Sequence, residues 1–234
     1  MRSGRSTSGG FAIEVALPDG AATEVSAVWD GAPGASAILA LAPGAGAPLD
    51  SPFLAGFATA LAACGVEVLR ANFPYQEAAG RRPPDREPVL RATWRALFSA
   101  ALARAGGRPV VAAGKSLGGR IASLAAADGE IAPDALVFLG YPLHPPGRAD
   151  RIRDVHLARI TCPMLWLQGT RDPFARPDLL HAVVARLAPR ATLVEIEGGD
   201  HSFHRPRTPR DPAADGAALA PLVAPFLERL RRSA

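Results

Sequence analysis

Apolar residues along this chain fall into short β-like runs that alternate with longer stretches whose apolar positions recur every three or four residues. The short runs are Phe11 to Leu17, Thr23 to Trp29, Ala37 to Leu41, Val66 to Ala71, Pro109 to Ala113, Leu136 to Leu139, Met164 to Gln168 and Thr192 to Ile196. The longer ones are Pro52 to Ala63, Glu87 to Ala105, Leu117 to Ala127, Pro177 to Leu187 and Ala217 to Arg231. Near-continuous apolar runs suit strands covered on both faces, and the three- and four-residue spacing suits helices lying on a sheet. The pattern predicts an α/β fold, a mostly parallel eight-stranded sheet with helices on both faces. Pro18-Asp19-Gly20 is too short for a crossover helix, so the first two strands should run antiparallel. The Pro- and Arg-rich loops from Glu77 to Pro88 and from Arg205 to Pro212 are expected to be the most mobile.

A chain of 234 residues suits a single domain, here expected over 11–234 behind a flexible segment 1–10. The segment MRSGRSTSGG lacks the apolar stretch of a signal peptide, and no later run is long enough to span a membrane, so a cytoplasmic protein is expected. Cys64 and Cys162 match no metal or redox spacing and read as small buried side chains rather than a disulfide. The net charge is +4, but Lys115 is the one lysine among 26 basic residues, and no basic face with interleaved aromatics occurs. No nucleic-acid partner is therefore expected, and neither a metal nor a cofactor.

The stretch AAGKSLGGR, Ala112 to Arg120, fits two templates. A phosphate-binding loop needs a glycine five positions before Gly114, where this chain has Pro109, which offers no N–H. Gly114-Lys115-Ser116-Leu117-Gly118 between a strand and a helix instead matches a turn that exposes a nucleophilic serine, with small residues where strand and helix crowd together. In wound sheets the ligand site lies beyond the carboxyl ends of the strands. Asp172 follows the seventh strand and His201 the eighth, which gives the order Ser116, Asp172, His201 of a nucleophile, its orienting acid and its base. Asp200 and Asp154 compete for the acid and His204 for the base. Stabilisation of an oxyanion is expected from the backbone N–H groups of Leu117, directly after the serine, and Ala45, in the loop after the third strand.

Taken together, Pro43-Gly44-Ala45-Gly46, Arg70 to Tyr75, Gly114 to Arg120, Gly140 to Gly147, Gln168 to Asp172 and Gly198 to Phe203 resemble the α/β-hydrolase superfamily. The similarity runs from about Ser36 to His204 and is with the small lidless branch related to dienelactone hydrolases, which includes the KANSL/Tex-like hydrolases. Many relatives carry histidine where this chain has Pro43. The resemblance implies an α/β-hydrolase fold, Ser116 as nucleophile, His201 as base and Asp172 as acid. The unbroken Ser-His-Asp set favours a serine hydrolase that cleaves a small or short-acyl ester, thioester or lactone through an acyl-enzyme, with a non-catalytic scaffold that kept the fold and an acyltransferase using the same residues as the alternatives. The connection from Tyr141 to Thr161 is too short to form a cap, so an open cleft is expected. Arg81, Arg82, Arg148, Arg171, Arg205 and Arg207 follow strand ends and are read as solvated surface.

Overall fold

The computed structural model describes residues 10–31, 34–78, 80 and 82–232, so Arg81 and residues 1–9 of the expected flexible segment lie outside the described residues, while Gly10 already belongs to the first strand. The strands are β1 (Gly10–Ala16), β2 (Ala22–Asp30), β3 (Ile38–Ala42), β4 (Glu67–Ala71), β5 (Val110–Lys115), β6 (Ala135–Leu139), β7 (Met164–Gly169) and β8 (Ala191–Ile196). They form one sheet in the order β1-β2-β4-β3-β5-β6-β7-β8. β1 and β2 are antiparallel to each other, as the short Pro18-Asp19-Gly20 turn requires, and β2 is antiparallel to β4. All later pairings are parallel.

The helices are α1 (Pro52–Ala63), the single turn α2 (Pro74–Glu77), α3 (Glu87–Ala103), α4 (Leu117–Ala127), α5 (Pro177–Leu187), α6 (Pro212–Ala217) and α7 (Ala220–Arg232). Odd and even strand residues feed two separate cores, because successive side chains leave a strand on opposite faces. Val110 and Ala112 join Trp94, Ile121 and Leu180 from α3, α4 and α5 on one face. Val111 and Ala113 join Phe57, Leu61 and Val223 from α1 and α7 on the other. A continuous last helix from Ala217 is not formed. Pro221 has no N–H for the Ala217 carbonyl, so α6 stops and a new helix begins with proline in its first turn. The break lets α6 lie on α1 at backbone contact: a Cβ on Gly216 would fall 2.1 Å from the Phe53 carbonyl oxygen, and one on Gly56 2.2 Å from that of Ala213.

Cys64 departs from expectation. It follows the end of α1 at the turn into Gly65, whose φ of +79° reverses the chain, and its side chain is exposed. The connection from β6 to β7 holds only a 3-10 turn, Val155–Arg159. Its Leu143 and Leu157 pack into the core on the α4 face, so this segment lies down against the sheet and forms no cap. No described helix is long and apolar enough to cross a membrane.

Candidate active site

β5 ends at Lys115 and α4 starts at Leu117, which leaves Ser116 alone at the turn with φ +49° and ψ −112°. A positive φ strains any residue with a Cβ by roughly 1–3 kcal/mol, and it persists where surrounding structure imposes it. Here the imposing contacts are close. A Cβ on Gly114 would lie 2.1 Å from the Gly119 nitrogen, and one on Gly118 2.4 Å from the Ala42 carbonyl oxygen. The Ser116 N–H donates to the Leu139 carbonyl at 3.1 Å, and the Trp94 indole N–H to the Gly118 carbonyl at 3.0 Å. Trp94, fully buried in the core, thereby also braces the first turn of α4.

The three chemistry-bearing residues selected from the sequence meet here. His201 Nε2 is 2.8 Å from Ser116 Oγ, and His201 Nδ1 is 2.6 Å from Asp172 Oδ2. A carboxylate oxygen accepts, so Nδ1 carries the proton and Nε2 is left to accept from the Ser116 hydroxyl. The Asp172 side chain is wholly buried and its charge is met by further donors: Phe174 N–H to Oδ1 at 2.8 Å and Gln168 Nε2 to Oδ2 at 2.5 Å. The Gln168 Oε1 in turn accepts from the Tyr141 N–H at 2.8 Å. Gln168 was not singled out in the sequence, although an amide side chain ending an apolar strand run is a signal that could have found it.

The competitors are occupied elsewhere. Asp200 accepts from the N–H groups of Ser202 and His204 and so shapes its own turn, while Asp154 pairs with Arg186. His204 Nδ1 faces Asp215 Oδ2 at 3.5 Å, so His201 and His204 turn to different carboxylates. Among the described residues no group of three or more His, Cys, Asp and Glu gathers as metal ligands. A second Ser–His contact, Ser123 Oγ to His156 Nε2 at 2.8 Å, is closed inside the core with the Tyr141 hydroxyl. Ser123 has no exposed surface, and burial pushes His156 down to about 4 and the Tyr141 phenol up to about 12. That network is structural.

Ser116 and His201 open on a cleft of about 530 Å³ whose other lining residues include Gly44, Ala45, Phe53, Leu54, Phe174 and Arg210. Ala45 therefore stands in the wall of the cleft, and Leu117 begins α4 beside it. Among the described residues, neither the Leu117 nor the Ala45 N–H donates to another group of the protein. Of the arginines read as solvated surface, none of the described ones lines this cleft; Arg82 borders a neighbouring depression, and the arginine that lines the cleft is Arg210. Lys115 is only partly exposed. Enclosure pulls its ammonium down to about 8, against the opposing pull of Asp172 and Asp200, and the ammonium lies 5.7 Å from the centre of the Phe203 ring.

A family model described as an alpha/beta hydrolase domain matches residues 35–219. Similar solved folds include a lidless α/β serine hydrolase from Xanthomonas campestris, with 20% identity, TM-score 0.65, and coverage of 96% of this chain and 94% of that one. A dienelactone hydrolase from Anabaena variabilis is similar at 20% identity and TM-score 0.71, over 95% of this chain and 98% of the other. Est1E from Butyrivibrio proteoclasticus is similar at 17% identity and TM-score 0.61, over 95% and 98%. At these identities the solved structures speak to the fold, and the family model, matching well over half of the chain, speaks to descent. The chain belongs to the alpha/beta hydrolase domain family.

Proposed function

We propose that this protein is a serine hydrolase that cleaves a small or short-acyl ester-type bond in an ester, thioester or lactone, acting on a soluble substrate in the cytoplasm. The observation that carries this reading is the unbroken hydrogen-bond chain from Asp172 through His201 to Ser116, opening on a cleft beside two unengaged backbone N–H groups. In the first half-reaction Ser116 Oγ attacks the carbonyl carbon while His201 Nε2 takes its proton, and the carbonyl π electrons move onto oxygen. The Leu117 and Ala45 N–H groups donate to that oxyanion, whose charge develops only as the bond forms. The intermediate collapses by breaking the bond to the leaving group, which receives the proton from His201. Water then repeats the attack on the acyl-enzyme and releases the acid. Asp172 keeps the proton on Nδ1 and stabilises the imidazolium. A cleft of about 530 Å³ without a cap favours short acyl groups over long lipid chains.

Intact-mass measurement after fluorophosphonate treatment tests the reading. Stoichiometric labelling of the wild type, lost in Ser116→Ala and His201→Ala, is expected. A folded wild type that stays unlabelled would sink the hydrolase and acyltransferase readings together and favour a scaffold. Product analysis with water and alcohol acceptors then separates hydrolysis from transfer.

A further inference from the structure

The loop that follows β3 is held from behind chiefly by the side chain of Gln76. Gln76, in α2, donates its Nε2 hydrogens to two carbonyls of that loop, Gly44 at 3.1 Å and Ala47 at 2.8 Å. Its Oε1 accepts from the Phe73 N–H at 2.9 Å. This assignment of oxygen and nitrogen follows from the partners, since two carbonyls require donors and an N–H requires an acceptor. The Tyr75 hydroxyl adds a longer bond to the same Gly44 carbonyl at 3.4 Å. Every polar atom of the Gln76 amide is thus committed, and both ends of the loop segment 44–47 are tied to α2.

The loop is a wall with two sides. Ala45, Gly46 and Ala47 line the cleft of Ser116 and His201, and the same three residues line the depression that holds Tyr75 and Gln76. The Gly44–Ala45 peptide is trans and planar, so its C=O and N–H point in opposite directions. With the carbonyl drawn to Gln76 and Tyr75, the Ala45 N–H is directed to the other side of the wall. Gly44 already packs against the serine there, since a Cβ on it would lie 3.6 Å from Ser116 Cβ.

We infer that Gln76 is a positioning residue for the reaction: by holding the Gly44 carbonyl it aims the Ala45 N–H at the oxyanion. The inference rests on the proposed role of Ala45 and adds what fixes that role. Gln76 touches no reacting atom, so its loss acts on the transition state and leaves ground-state binding nearly unchanged. Removing an oxyanion donor costs about 100- to 1000-fold, and misaiming one should cost less, about 10- to 100-fold.

The test compares wild type with Gln76→Leu, Gln76→Glu and Tyr75→Phe, using a short-chain aryl acetate and an aryl boronic acid that forms a tetrahedral anion on serine. For Gln76→Leu, kcat is expected to fall about 10- to 100-fold with KM within threefold, and boronate affinity to weaken with kcat/KM. Tyr75→Phe should lose only a few-fold. Gln76→Glu adds a readout that simple destabilisation would not move. Its carboxylate faces two carbonyls and repels them, whereas its protonated form can donate to one, so activity relative to wild type should rise as pH falls. A folded Gln76→Leu with kcat/KM within twofold of wild type overturns the inference. So does a flat Gln76→Glu ratio across pH, which remains decisive if Gln76→Leu does not fold. A wild type unreactive to both acetate and boronate sinks the underlying hydrolase reading and this inference with it; reactive wild type with indifferent Gln76 variants sinks this inference alone.

Discussion

Gln168 and Asp172 are joined by a hydrogen bond of 2.5 Å between Nε2 and Oδ2, on the same carboxylate oxygen that meets His201. The two residues sit on either side of the end of β7, and the amide's other end reaches across to the Tyr141 N–H after β6. Gln168 therefore holds the carboxylate against the strand that precedes it and ties that strand to its neighbour. Gln168→Leu keeps the approximate bulk but leaves a buried carboxylate oxygen and a backbone N–H each short of a partner. A loss of about 2–4 kcal/mol in denaturant unfolding is expected. A fall of about tenfold in kcat/KM should accompany it, as Asp172 gains freedom to leave the imidazole. Unchanged stability and turnover in this variant would remove Gln168 from the site.

The close packing of Gly118 against Ala42 makes a sharp stability contrast within the site. A methyl group on Gly118 would meet two carbonyl oxygens, Ala42 at 2.4 Å and Pro43 at 2.6 Å, and neither can yield without shifting β3 against α4. Gly118→Ala is expected to lose more than about 4 kcal/mol or to fail to fold. Gly46→Ala, where a Cβ meets nothing within 4 Å, should stay within about 1 kcal/mol of wild type. Thermal unfolding of the two variants side by side measures the difference, and equal midpoints would contradict the crowding at the elbow.

His156 gives the fold an acid sensitivity away from the cleft. Its imidazole is held near 4 by burial first and by the Arg120 and Arg159 charges second, against an ordinary value of 6.5. Between those two values the unfolded chain binds the proton and the folded chain does not, so stability contributed by the neutral ring is present above about 6.5 and drains away as pH falls toward 4. Discounted for its partial contact with solvent, the loss is on the order of 2 kcal/mol. Denaturant unfolding of wild type and His156→Gln from pH 7 to 4 should show a shallower decline in the variant. Parallel curves would mean that His156 is not the group responsible.

Lys115 behaves in the opposite range. Its enclosed ammonium is shifted from 10.5 to about 8, so between these values the unfolded chain holds the proton that the folded chain releases, and stability rises with pH. Lys115→Met removes the enclosed charge and should therefore be more stable than wild type at neutral pH, with the advantage shrinking as pH climbs above about 8. Unfolding measured at pH 7 and pH 10 for both proteins checks the sign. A variant less stable than wild type at pH 7 would show that attraction to Asp172 and Asp200 outweighs the cost of enclosure.

Much of this molecule was legible along the chain because the determining interactions are local. Alternating apolar periods placed all eight strands, since a strand or helix must bury its apolar face whatever its partner. The elbow was legible partly for the same reason: Gly114 answers a steric demand made within five residues, by Gly118 and Gly119, whereas the demand on Gly118 comes from Ala42 and Pro43 at the end of β3. Strand ends of a wound sheet converge on one edge, so Ser116, Asp172 and His201 could be selected without knowing their distances. The tertiary structure decided what depends on chains far apart in sequence. Gln76 grips a loop some thirty residues earlier, and Gln168 ties β7 to the turn after β6. Gly216 is required because α6 lies on the backbone of α1. A hydrogen bond or a backbone contact between distant segments leaves no period in either one, and only the packed fold brings its two halves together.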